Sequence, residues 1–439
     1  MLRTLDWRGQ RLDSAEVRSH IPRAAISGAG VDAQVAALVE DVRSRGAQAL
    51  KDQAQEFDDV VAADIAEVPL AGNEVDEILS AGLKQAITEA IRRVRQASDA
   101  QVPPERAVEV APGADIIQRW LPVERAGVYV PGGKAVYPSS VVMNVVAAQA
   151  AGVESIALAS PPQKDFDGHV HPVIRATAAL LGVTEVYAMG GAGAIAALAY
   201  GVDELGLRPV SVITGPGNRY VAAAKRLVKG SVGIDSEAGP TEIVVIADDS
   251  APADLVAADV VSQAEHDELA QAVVITTSSE LATEVATRIN ARVEATPHRE
   301  RVQEALTGEQ SAIILVDTLD DAIVVSDLLA PEHLEVMTVD AGDWARKTRH
   351  AGAVFIGDHT PVSAGDYLAG SNHVLPTGGK ATFQAGLSAM TFLRPQQLVR
   401  YSADALATIG PMVEVFAEAE NLPAHAEAIR ARTSPRKDG

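Results

Sequence analysis

The sequence predicts an α/β protein made of two doubly wound, Rossmann-like layers. Short runs rich in Val and Ile recur along the chain, each closed by glycine or a polar residue and followed by an Ala-rich helical stretch. Strand, turn and helix repeated in that order mean a parallel sheet with helical crossovers. The runs fall into two series: SIALAS, EVYAMG and VSVITG, then TEIVVIAD, AVVITTS, AIILVD, EVMTVD and AVFIG. With 439 residues, 47% of them apolar, the chain has material for substantial cores in roughly two to four domains.

Residues 1–25 form a mixed-charge N-terminal segment without the apolar core of a signal peptide, so a cytoplasmic protein is expected. From Ile26 to about Ala100 apolar residues recur at three- and four-residue spacing, a helical pattern. The first series of strands places one α/β domain at 129–242. The second series, joined to 26–128, gives the other at 243–387. In parallel sheets ligands collect beyond the carboxyl ends of the strands, which directs attention there. From Gln384 onward strands are expected to cease, leaving a C-terminal helical arm at 388–439, broken at Pro411 and Pro423 and frayed over 434–439. The uncharged stretch Ala135 to Val153 carries Pro138, Asn144 and Gln149 and lacks the continuous apolarity of a membrane span.

Composition excludes several kinds of chemistry. Lys and Arg total 37 against 59 Asp and Glu, a net charge of −22 that disfavours nucleic acid and anionic membrane, and no local basic patch offsets it. With no cysteine there is no disulfide, no thiolate metal site and no thiol nucleophile, so a bound metal must take nitrogen and oxygen ligands.

Six segments carry residues suited to chemistry. Gly191-Ala-Gly193-Ala-Ile-Ala196 fits G-x-G-x-x-A between a strand and a helix, the form of a pyrophosphate turn or of a close-packed one. In Thr214-Gly-Pro-Gly-Asn218 the asparagine stands where it caps a helix or meets a ligand with its amide. Gln263 and His266 share one face near the end of a helix that begins at Ala253, either as half of an N/O metal site or as a solvated helix end. Glu332 and His333, expected on a helical turn and so pointing about 100° apart, pair an acid with an imidazole for proton transfer near neutral pH. The loop from His359 to Lys380, with Asp366, Asn372 and His373, is too long to be a mere connector. Near the C-terminus, Glu420 and His425 straddle Pro423, whose break can bring them together.

Taken together, VERAGVYVPGG, AMGGAGAIAALAYG, TGPGNRYV, AGPTEIVVIAD, SQAEH, APEHL, SAGDYLAGSNHVLPTGG and AENLPAH resemble histidinol dehydrogenases in one unbroken order from about Ala25 to about Arg432. The resemblance implies an aldehyde-dehydrogenase-like architecture and oxidation of L-histidinol, through the aldehyde, to L-histidine with two NAD and one zinc per site. It implies that Gln263, His266, Asp366 and His425 bind the zinc, and that the 26–128 plus 243–387 domain carries the metal and catalytic residues. His333 matches the general base and Glu332 the residue that activates water in the aldehyde step. Thr241, His373 and Glu420 match substrate contacts, as do His333 and the zinc ligands. Tyr129 and Asn218 match NAD contacts in the 129–242 domain; the third such position, often Gln, is Gly193 here, so a backbone contact or another residue must serve. The family's homodimers pass the C-terminal segment to the partner, which implies that Glu420 and His425 complete the other subunit's site. A dehydrogenase of the same fold acting on another amino or sulfo alcohol, and a non-enzymatic zinc-binding protein, are the competing readings.

Overall fold

The structure is a computed structural model that describes residues 2–12, 14–24, 31–61, 64–132, 135–237 and 239–433. The expected start of the first helix at 26–30 and the frayed tail at 434–439 lie outside the described residues. The strands are β1 (Arg3–Asp6), β2 (Arg106–Ala111), β3 (Ala114–Pro122), β4 (Arg125–Tyr129), β5 (Ser155–Ser160), β6 (Glu185–Ala188), β7 (Val212–Thr214), β8 (Gly233–Ile234), β9 (Glu242–Ala247), β10 (Gln271–Thr276), β11 (Ala312–Leu315), β12 (His333–Met337), β13 (Ala353–Ile356) and β14 (Leu393–Tyr401). Two compact units result, one of 1–101 with 123–392 and one of 102–122 with 393–439.

The larger unit holds two parallel sheets. One has the order β6-β5-β4-β7-β8 and the other β1-β11-β10-β9-β12-β13. The five-stranded sheet winds outward in both directions from β4 and the six-stranded sheet from β9, which is the doubly wound pattern with a switch point beside that strand. In the second sheet β1 adds a sixth, parallel strand on β11. Along β9, Ile243, Val245 and Ala247 enter the core beneath the helices Ala253–Ala264 and Ser279–Ala295, while Val244 and Ile246 enter the core on the opposite face. Alternation sends successive side chains to opposite faces, and cover on both faces explains why the strand reads as an unbroken apolar run. Against the five-stranded sheet pack the helices Gly191–Tyr200, Arg219–Val228 and Val31–Arg45.

The smaller unit corrects the expectation that strands cease at Gln384. β14 runs from Leu393 to Tyr401 and pairs antiparallel with β3, which also pairs with β2. β2 is exposed throughout and β14 nearly so, and neither carries a buried stripe for the alternation test to detect. β14 is made by a pairing partner almost three hundred residues away, and β2 by its hairpin partner β3, not by a buried stripe of its own. Pro395 is tolerated because β14 lies at the sheet edge, where a missing N–H costs nothing. The expected break at Pro411 is also absent: the helix Ala403–Ala419 runs through it, packed on the helix Pro423–Thr433 with Gly410 against Ile429. The break falls at 420–422, where Asn421 takes a left-handed conformation.

Candidate active site

Thr241, Glu242, Glu332 and His333 meet at the amino ends of β9 and β12, neighbours in the six-stranded sheet with His333 opposite Ile243. This corrects two expectations. Chemistry was expected at carboxyl ends, and Glu332-His333 on a helical turn; instead the preceding helix Leu319–Leu329 stops at the left-handed Ala330, and His333 opens a buried strand. Adjacent residues entering a strand start in different directions, yet here Glu332 Oε2 and His333 Nδ1 come within 3.6 Å of each other, both against the Glu242 backbone.

Glu332 and Glu242 are reciprocally tied. The Glu242 amide donates to Glu332 Oε2 at 3.0 Å and the Glu332 amide donates to Glu242 Oε2 at 3.2 Å. Glu242 Oε1 also accepts from the Gly378 amide at 3.0 Å. Thr241 Oγ1 donates to Glu332 Oε2 at 2.5 Å and accepts from Gln263 Nε2 at 2.5 Å. Because its one proton goes to Glu332, the hydroxyl can only accept from Gln263, which turns the amide oxygen of this buried glutamine away from Thr241. Burial pushes the Glu332 carboxyl up to about 8, with Asp366 adding to the effect and the Thr241 and Glu242 hydrogen bonds opposing it. Burial, with the neighbouring Glu332, pushes Glu242 up to about 8 as well.

Two imidazoles have their tautomers set by backbone carbonyls. His333 Nδ1 lies 2.9 Å from the Glu242 carbonyl and His373 Nδ1 lies 2.9 Å from the Asp366 carbonyl, so each Nδ1 carries the proton and each Nε2 presents a lone pair. His373 Nε2 is 3.3 Å from Ser140 Oγ, which donates to it. Burial holds both rings below the ordinary imidazole value, His373 down to about 4, and keeps them neutral bases. Asp366 sits in the short helix Val362–Tyr367, which corrects the expectation that the segment from His359 to Lys380 is all loop. Glu335 Oε1 accepts from the Val362 amide at 3.0 Å and so fastens that helix to β12.

Of the expected metal ligands, Gln263 ends the helix Ala253–Ala264, exposed His266 lies just past that end, and half-buried Asp366 shares electrostatic surroundings with His266 and His333. Among the described residues no three His, Asp or Glu side chains are grouped to hold a metal. Of those types the larger unit contributes only His266 and Asp366, the other expected members being a glutamine and His425. The donors fit a borderline divalent cation: an amide oxygen aimed away from Thr241, an imidazole, and an Asp366 carboxylate that accepts no hydrogen bond among the described residues. Burial raises the Asp366 carboxyl, and the His333 and His266 rings oppose that shift.

A separate cavity of about 530 Å³ opens at the carboxyl ends of the five-stranded sheet, within the usual range for a small-molecule site. Tyr129 ends β4, Gly190 to Ala192 follow β6 and Asn218 follows β7, so the walls straddle the switch point between β4 and β7. Tyr129 accepts from the Gly191 amide at 3.2 Å, and burial lifts its phenol to about 12. Asn218 caps the helix Arg219–Val228, its Oδ1 accepting from the Tyr220 and Val221 amides at 3.0 and 3.2 Å, which leaves its Nδ2 for a ligand. Gly193 is buried and its neighbours, not itself, line the cavity. Gly215, at φ 116°, brings its backbone against the Tyr129 carbonyl where no Cβ fits. The turn is clamped by a buried pair: Lys225 Nζ donates to the Gly215 carbonyl and to Asp235 Oδ1, both at 2.5 Å, and Asp235 Oδ2 accepts from the Gly215 amide at 2.7 Å.

Glu420 and His425 belong to the smaller unit and are exposed. Sequence reasoning missed Glu242, Ser140 and the Lys225–Asp235 pair. A glutamate opening a strand that is otherwise wholly apolar was the available signal for Glu242; nothing local marks Ser140, which meets His373 across 233 positions.

The histidinol dehydrogenase family profile matches residues 21–433. A histidinol dehydrogenase of Leifsonia xyli is 54% identical over 436 residues, covering 99% of this chain and 100% of that protein. One from Thermobifida fusca is 52% identical over 440 residues, covering 99% of this chain and 98% of that protein. The crystal structure of histidinol dehydrogenase from Elizabethkingia anophelis superposes with a TM-score of 0.91 at 32% identity, covering 98% of each chain. A family match over nearly the whole chain, half-identical relatives of the same length and a shared fold lead to one conclusion: the chain belongs to the histidinol dehydrogenase family and is an oxidoreductase.

Proposed function

We propose that the chain oxidises L-histidinol to L-histidine through a retained L-histidinaldehyde, with two NAD and one zinc per site. The observation that carries this reading is the neutral His333 imidazole with its Nε2 lone pair free, beside a second acid, Glu332, held by its own hydrogen bonds. When bound, zinc would supply a Lewis-acid anchor for the substrate and NAD would supply the hydride acceptor. Gln263, His266 and Asp366 would hold the metal together with His425. His333 takes the alcohol proton in the first oxidation. In its anionic form Glu332 takes a proton from water adding to the aldehyde while His333 gives its proton to the aldehyde oxygen, and His333, neutral again, takes a hydroxyl proton of the resulting hydrate in the second oxidation. Thr241 holds Glu332 and Gln263 in place, and Ser140 orients His373 toward the substrate. With no cysteine in the chain, the aldehyde is retained by chelation and enclosure and not as a thiohemiacetal.

Tyr129 and Asn218 are assigned to NAD on the strength of the cavity they line at the switch point. Homodimer formation is assigned to the smaller unit, where Met412, Val415, Phe416 and Leu422 expose an apolar stripe at helical spacing. Glu420 and His425 then serve the partner's site. Among the described residues no helix is long and apolar enough to cross a membrane. The test is to count NADH formed per L-histidinol by the purified protein, before and after chelation and zinc return. Two NADH per substrate, lost on chelation and regained with zinc, is the expected result; activity only on another alcohol overturns the reading.

A further inference from the structure

We propose that Gln53, on the helix Ala47–Asp58, supplies the side-chain amide that meets the dinucleotide in this chain, standing in the space that residue 193 leaves open. The inference rests on reading the cavity at the five-stranded sheet as the NAD site. Glycine at 193 is not demanded by its backbone, which keeps an ordinary helical conformation near the start of the helix Gly191–Tyr200. Space is the constraint. A Cβ at 193 would collide with Gln53 Oε1 and stand 3.2 Å from both Gln53 Cδ and Leu50 Cδ2. The carboxamide of Gln53 therefore occupies the volume that a side chain at 193 would enter, arriving from a different helix.

The Gln53 amide is placed to bind. The residue is only 8% exposed, yet it lines the cavity beside Tyr129, Gly191 and Asn218. Its Nε2 donates to the Leu38 carbonyl at 3.2 Å, which fixes the plane of the amide. Its Oε1 accepts no hydrogen bond among the described residues, so this residue, more than nine-tenths buried as a whole, keeps an acceptor for a ligand. The other polar groups on this wall are partly committed, since Tyr129 Oη accepts from Gly191 and Asn218 Oδ1 caps its helix. On this wall Gln53 Oε1 and Asn218 Nδ2 make no hydrogen bond among the described residues, Tyr129 Oη keeps its own proton to donate, and Asp58, on the same helix as Gln53, also lines the cavity. The pairing of Gln53 Oε1 with Asn218 Nδ2 suits a ligand bearing a hydroxyl or amine hydrogen near an acceptor, as riboses and bases of a dinucleotide do. Leu38, Leu50 and Phe57 add an apolar surface for a ring.

The test is NADH binding by the purified full chain, followed by fluorescence titration, with thermal melting of every variant. Losing one neutral hydrogen bond should raise the Kd of Gln53→Ala about 3- to 10-fold. Gln53→Leu, which keeps the packing volume, should show the same loss with an unchanged melting temperature, separating binding from folding. Gly193→Gln alone should collide with Gln53, lowering both affinity and melting temperature. Gln53→Ala combined with Gly193→Gln should regain affinity to within about twofold of wild type, because the amide then arrives from the other helix. Unchanged affinity in both Gln53 variants, or no recovery in the double variant, overturns this inference while leaving the cofactor reading intact. If the wild-type protein binds no NADH, both fall.

Discussion

Removing the Thr241 hydroxyl should disable two groups at once. In Thr241→Val the shape is nearly kept, but Glu332 Oε2 retains only the Glu242 amide at 3.0 Å, and the amide nitrogen of Gln263, a side chain 2% exposed, loses its only acceptor. A buried polar group left without its partner costs about 1–3 kcal/mol, so two give roughly 2–4 kcal/mol in stability once relaxation is allowed for. Gln263, no longer held from behind, stops presenting its oxygen in one direction. Loss of such an outer hydrogen bond to a metal ligand typically weakens metal affinity about 10- to 100-fold. Urea denaturation gives the first quantity and competition with a chromophoric zinc chelator gives the second. Thr241→Ser should behave as wild type in both, since it keeps the hydroxyl. A Val variant with unaltered stability and zinc affinity would refute the idea that one hydroxyl organises both the acid and the ligand.

Three further outcomes are expected. Lys225→Met strands the buried Asp235 carboxylate and should cost about 3–5 kcal/mol in denaturant unfolding, whereas adding Asp235→Asn should recover part of the loss. Phe416→Glu, in the exposed stripe of the smaller unit, should yield monomers by light scattering that lack zinc-dependent activity; an active monomer would refute the shared site. Burial and the Asp259 carboxylate raise Glu335 from 4.5 to about 8, with the hydrogen bond from the Val362 amide opposing the shift, so the folded chain holds this proton more tightly than the unfolded one. The contribution of Glu335 to stability should therefore fall as pH rises from about 5 to 8, by at most about 1.4 kcal/mol per pH unit, and Glu335→Gln should remove that part of the slope in melting curves, leaving the parts due to Glu242 and Glu332.

The two parallel sheets were legible because their strands are buried on both faces and read as apolar runs between glycine turns, as β9 and β10 show. β2, β3 and β14 were not, because β2 and β14 are exposed, β3 is half-buried along its length without alternation, and the β14–β3 pairing joins distant sequence. The expected site residues of the larger unit were legible as residue types, and the structure brings Thr241, Gln263, Glu332 and His333 into one hydrogen-bonded neighbourhood. Their setting was not. His333 opens a strand at an amino edge, contrary to the carboxyl-end rule that the cavity of the five-stranded sheet obeys. The hidden supports, Glu242 and Ser140, become visible only when register and tertiary contact place them against residues far along the chain. The absence of cysteine, at first a statement about which metals and nucleophiles are excluded, ends as a constraint on how the aldehyde is kept.

The division of labour between His333 and Glu332 is the centre of the account, and single-turnover oxidation of L-histidinol and of L-histidinaldehyde by Glu332→Gln tests it most directly. The account predicts a large loss in the aldehyde-to-acid step, which needs activated water, with alcohol oxidation slowed far less. Equal losses in the two steps would contradict it.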